Sequence, residues 1–122
     1  MIIYGKDYHF ALTVGAAKEI SDLCPGGDLD RVSELLTGNY GNAIQATAEI
    51  ICALSRGYER KMCFEAPGHD YAPLTEEMLL SLDTGTFTAL ESEALAAFSR
   101  DSATTVAVEP EKKRAEPESK LS

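Results

Sequence analysis

Residues 43–58 read AIQATAEIICALSRGY, and the element they form decides the fold. Ala43, Ile44, Ala46, Ile50, Ile51, Ala53, Leu54 and Tyr58 recur at spacings that suit a helix. They occupy more than one face of it, whereas a surface helix shows a single apolar stripe. The spacing therefore predicts a central helix, contacted from at least two sides.

Upstream, TGNYGN at 37–42 reads as a loop, with Asn42 able to cap the central helix. Before it, LDRVSELL places Leu29, Val32, Leu35 and Leu36 on one stripe behind a capping Asp28. CPGGD at 24–28 separates this short helix from an earlier one, since Pro25 cannot continue a helix and Gly26-Gly27 allow a reversal. That earlier helix, VGAAKEISDLC, follows the capping residue Thr13 and repeats Val14, Ala17, Ile20 and Leu23 or Cys24 at helical spacing. At the N-terminus, Met1 to Tyr4 and Tyr8 to Leu12 read as two strands joined by Gly5-Lys6-Asp7. Such a hairpin must lie against helices to be stable.

Downstream, Tyr58 to Phe64 reads as an arm leaving the central helix, followed by a loop with Pro67, Gly68 and Pro73. Thr75 caps EEMLLSL, and a last helix begins near Thr86 or Thr88, where Thr88-Ala-Leu-Glu91 has capping-box spacing. Phe87, Leu90, Ala94, Ala97 and Phe98 form its buried face. From Asp101 the pattern stops. SATTVAVE suits a brief strand, and EPEKKRAEPESKLS is charged and proline-punctuated, a composition that buries too little apolar surface to offset ordering. The expectation is a mainly α fold: a small domain of four to five helices with a short N-terminal β-hairpin over residues 1–100, then a flexible tail, 101–122.

At 122 residues and 44% hydrophobic, the chain suits one soluble globular domain. No apolar run approaches the roughly 20 residues that span a bilayer, and MIIYGKDYHF lacks the features of a signal peptide. Residues 1–100 hold 15 acidic and 7 basic side chains, net −8 of the total −9. An anionic body disfavours nucleic acid and anionic membranes as partners and favours another protein.

Chemistry-bearing residues are scattered. Cys52 lies among isoleucines, where cysteine behaves as a small hydrophobe. Cys24, Cys63, His9 and His69 lack the paired spacing of a zinc site, and an odd cysteine count argues for a reducing compartment. Arg60 and Lys61 stand near Cys63, but no base or oxyanion signature accompanies them. Asp28-Leu-Asp30 lacks the rest of a calcium loop, and Gly26-Gly27 precedes no GK[ST]. The reading assigns no catalytic residue, metal or cofactor.

The order MIIYGKDYHFALTVGAAKEISDLCPGGDLDRVSELL, AEIICALSRGYE, PLTEEMLLSL resembles the small tail assembly chaperones of long-tailed phages and prophages. The resemblance rests on a GK-x-Y element (Gly5 to Tyr8), T-x-GA-x-x-EI (Thr13 to Ile20) and GDL-x-R-x-x-ELL (Gly27 to Leu36), and covers most of residues 1–100. It implies a non-enzymatic protein of the host bacterial cytoplasm, absent from the finished particle. Such a protein coats the helix-rich tape measure protein and helps recruit tail tube subunits. Apart from the resemblance, a homo-oligomer is left open as a further partner, and the sequence does not set the oligomeric state. A structural or adaptor component retained in the virion is the alternative. Some of these systems make a longer product by programmed frameshifting, and Glu111-Lys112-Lys113 could be encoded by a slippery GAA AAA AAG. For partner contact the first choice is Tyr58, Arg60, Lys61, Met62 and Phe64, which combine interface-enriched side chains on the expected arm.

Overall fold

The computed structural model describes residues 1–36 and 40–108, the side chains of Tyr40 and of residues 103–108 excepted. It is mostly helical, with a short antiparallel hairpin at its N-terminus.

The hairpin is tighter than the sequence suggests. Strands β1 (Ile2–Ile3) and β2 (Lys6–Asp7) pair Ile2 with Asp7 and Ile3 with Lys6. The turn is therefore Tyr4-Gly5, not Gly5-Lys6-Asp7. Both turn residues have positive φ, 48° and 82°, the condition of the two-residue turn whose twist matches that of a hairpin. Tyr8 to Leu12, expected as the second strand, instead runs extended across the helices. The Ala11 amide donates to Leu54 O (3.2 Å), and the Leu12 amide donates to Asp101 Oδ2 (2.9 Å). Arg100 Nη2 donates to Phe10 O (3.4 Å). A segment whose backbone bonds go to two different helices is held there in place of pairing as a second strand.

Helix α1 (Val14–Leu23) starts at Thr13, whose hydroxyl accepts from the Ala16 amide. Ala16 and Ile20 face the core, whereas Val14, expected in the stripe, is exposed. A first-turn residue behind an extended segment points away from the packing surface. Pro25–Gly27 forms a single turn, and the Asp28 side chain then caps Leu29–Arg31, which leads into α2 (Val32–Leu35). Leu29, Val32, Leu35 and Leu36 pack on the core as the stripe requires.

Helix α3 (Tyr40–Glu65) is the centre of the molecule. It begins ahead of the expected Asn42 cap and ends past the expected Tyr58, so the predicted arm is its last two turns. Ala48, Ile50, Ile51, Ala53 and Leu54 are buried, and α1, α2, α4 and α5 all contact it. Each fully buried Ile or Leu here contributes about 1.5–3 kcal/mol relative to exposure. Gly57 lets the extended segment approach: a Cβ there would stand 2.7 Å from Ala11 O and 2.9 Å from Thr13 Oγ1.

Thr75 caps α4 (Glu76–Leu80) through the Met78 amide. Helix α5 (Thr84–Val108) begins earlier than expected, because Asp83 accepts from the Thr86 amide and hydroxyl. Thr88 thus sits inside the helix, donating to Thr84 O, and caps nothing. Leu90, Ala94 and Ala97 are buried on its inner face, with Phe87 and Phe98 partly so. Residues 101–108 continue the helix, contrary to the expected strand. The reading of 109–122 as a flexible tail, and the Glu111-Lys112-Lys113 segment, lie outside the described residues.

Candidate functional site

The five residues chosen for partner contact do not form one patch. On a helix with about 100° between neighbours, Tyr58, Lys61 and Met62 share one side, while Arg60 and Phe64 lie roughly opposite. The Tyr58 ring packs against His9, centroids 5.1 Å apart. Arg60 pairs with Glu19 (3.2 Å) and Lys61 with Glu65 (3.7 Å). Met62 is half-buried, and Phe64 is 89% exposed. Phe64 alone is open apolar surface.

Between these residues points Glu59, buried and missed by the sequence reading. Its Oε1 accepts from the Ala72 amide (3.1 Å) and meets His69 Nε2 (3.0 Å), with Lys6 Nζ at 3.9 Å. Lys6 Nζ also donates to Ala72 O (2.7 Å) and stands over the Tyr8 ring. One turn earlier on α3, the buried Ser55 hydroxyl accepts from the Leu74 amide (2.9 Å). Ser55 and Glu59 thereby supply the polar partners that a returning loop needs when it is laid on an apolar helix. His69 is half-buried in this network. Only the flanking charges of the YERK string show in the sequence, and they mask the one that turns inward.

Cys63 is exposed, its Sγ 3.8 Å from the His69 carbonyl, while the His69 ring turns to Glu59. Among the described residues no three His, Cys, Asp or Glu side chains are grouped to hold a metal. Cys52 lines a hollow of about 180 Å³ with Glu19, Glu49, Arg56 and Glu76. Burial pushes its thiol up to about 11. Burial also pushes the Glu19 carboxyl up, but Arg56 and then Arg60 outweigh that effect and hold it below the usual carboxylate range. Gln45 Nε2 bridges Glu49 (2.8 Å) and Glu76 across the rim.

A larger concavity lies elsewhere. Ala43, Ile44 and Thr47 of α3, Leu79 and Leu80 of α4, and Thr84, Phe87, Thr88 and Glu91 of α5 line about 330 Å³ together with Leu36 and Leu82. Leu79 is fully buried beneath it, whereas Leu80 remains 53% exposed at the edge. The groove exists because α4 is only five residues long and cannot cover both α3 and α5. Its lining is chiefly aliphatic and aromatic, with a single charged side chain, Glu91. Such a lining has no acid–base pair to run a reaction and is suited to burying apolar side chains. Periodicity marked these residues only as core, and the shortness of α4 is what leaves them open.

No helix among the described residues is long and apolar enough to cross a membrane. Comparison with protein-family models, with curated proteins and with solved structures gives no match.

Proposed function

We propose that this protein is an assembly chaperone for a phage or prophage tail. It binds the tape measure protein and helps recruit tail tube subunits in the host bacterial cytoplasm, then leaves before the particle is complete. The observation that supports this reading is the open apolar groove on an otherwise acidic helical body. A tape measure exposes apolar helical stripes until the tube encloses it, and unshielded stripes of that kind aggregate. A groove that accepts such a stripe keeps the polypeptide soluble, and a net charge of −9 keeps the complex dispersed. In this reading the protein performs no chemistry and needs no cofactor or nucleic acid.

The test is co-production with a tape measure protein encoded in the same genome. The expected result is a soluble complex that co-purifies, together with absence of this protein from purified particles by mass spectrometry. An insoluble tape measure with no complex refutes the proposal. Presence in the particle at stoichiometric amounts makes the protein a structural component instead.

A further inference from the structure

We infer that the groove between α3, α4 and the first turns of α5 receives an amphipathic helix whose apolar stripe is flanked by Lys and Arg. This deepens the chaperone reading and rests on it for the choice of a protein partner.

Charge decides the chemistry of the occupant. Residues 32–55 and 71–99, which contain every residue lining the groove, carry seven carboxylates and no Lys, Arg or His. All seven Lys and Arg of residues 1–100 lie outside these two stretches. Two of the seven are paired by cations from outside these stretches, Glu34 with Arg31 and Glu93 with the Met1 amine, whereas among the described residues Glu76, Glu77, Asp83 and Glu91, which lie nearest the groove in the chain, form no ion pair. Glu91 lines the groove, and Glu76, Glu77 and Asp83 belong to the same short stretch of chain around it. An acidic helix would meet like charge at Glu91 and the neighbouring carboxylates, whereas a basic flank is attracted, and that contrast fixes partner choice more than area does.

Shape points to a helix. Two long helices wall the depression, and α4 leaves it open at Leu80. About 330 Å³ suits a few side chains rising from one face of an element, not the element itself. Anchors at i, i+3 or i+4, and i+7 meet that requirement.

The experiment uses the full chain and two fluorescein-labelled peptides of about 18 residues, both with Leu at helical spacing. One carries Lys at the remaining positions and the other Glu. Fluorescence anisotropy is expected to show the Lys peptide binding at least about tenfold more tightly than the Glu peptide. Leu80→Arg, at an exposed position and so without loss of helical circular dichroism, weakens the Lys peptide at least about tenfold. Glu91→Lys narrows the gap between the two peptides, and Phe64→Asp leaves both unchanged. Equal affinity for the peptides, binding of neither, indifference to Leu80→Arg or loss on Phe64→Asp overturns the inference. A dimer that Leu80→Arg dissociates in sedimentation also overturns it, by assigning the groove to a second copy. The two readings fail separately. A tape measure complex unaffected by Leu80→Arg removes this site and keeps the chaperone. Groove binding of the Lys peptide without any tape measure complex keeps the site and removes the phage role.

Discussion

Replacing Gly57 with alanine sets two effects of known size against each other. In the interior of an isolated helix the change stabilises by about 1 kcal/mol. Here the new methyl would stand 2.7 Å from Ala11 O, 2.9 Å from Thr13 Oγ1 and 3.1 Å from Ala16 Cβ. None of these can move freely. The Ala11 backbone is held by its bond to Leu54 O, the Thr13 hydroxyl caps α1, and Ala16 is fully buried. Relief requires α1 and the extended segment to withdraw from α3, an overpacking cost of about 1–3 kcal/mol. Losing the Thr13 cap as they part adds about 1 kcal/mol. The net expectation is destabilisation by about 1–3 kcal/mol, read by urea denaturation followed at 222 nm. Gly15→Ala is the control: its nearest foreign atom is the Arg60 guanidinium at 3.8 Å, so it is expected neutral or slightly stabilising. A Gly57→Ala protein as stable as the parent would refute the close approach of these three elements.

Thiol labelling should separate the cysteines: Cys63 modifies at once in the native protein, while Cys24 and Cys52, buried and with thiols raised by that burial, label only on unfolding. Three equally fast thiols would contradict the packing of α3. Glu59→Ala leaves the Ala72 amide without its acceptor and should cost about 1–3 kcal/mol, with protease cleavage appearing between residues 66 and 74; unchanged resistance argues against the network. Glu19→Gln tests the Arg56 and Arg60 pairing. The folded carboxyl is held below its ordinary value, so its contribution is complete above pH of about 4.3 and lost as pH falls through the lower folded value. The variant should therefore be up to about 1 kcal/mol less stable at pH 7 and indistinguishable from the parent in strong acid. A difference that grows on acidification would reverse the assigned sign.

Local signals carried much of the fold. The caps at Thr13, Asp28 and Thr75 are short-range hydrogen bonds made by the residues that announce them, and the Leu29–Leu36 stripe buries as its spacing requires. Expectations failed where distant parts decide. Nothing near Val14 says that the preceding segment runs across α3 and turns this residue to solvent. Asp83 outcompetes the Thr88 capping box because it lies nearer the end of α4, a placement that packing sets. The β-branched run after Ser102 prefers extended backbone locally, yet α5 continues through it, and propensity of that size is readily overridden. Of the candidate site, the interface-prone side chains after Tyr58 were visible by type. Their dispersal around a helix was not, nor was a groove made by the shortness of α4.

The extended segment at residues 8–12 has a consequence for how the chain is made. Its backbone is clasped by Leu54 on one side and by Arg100 and Asp101 on the other. Synthesis delivers the N-terminus first, so a nascent polypeptide carries Phe10 and its neighbours with half their clasp missing until nearly the whole domain has left the ribosome. A premature stop before Arg100 would release a product whose apolar ribbon keeps only its bond to Leu54, suited to sticking to its own kind.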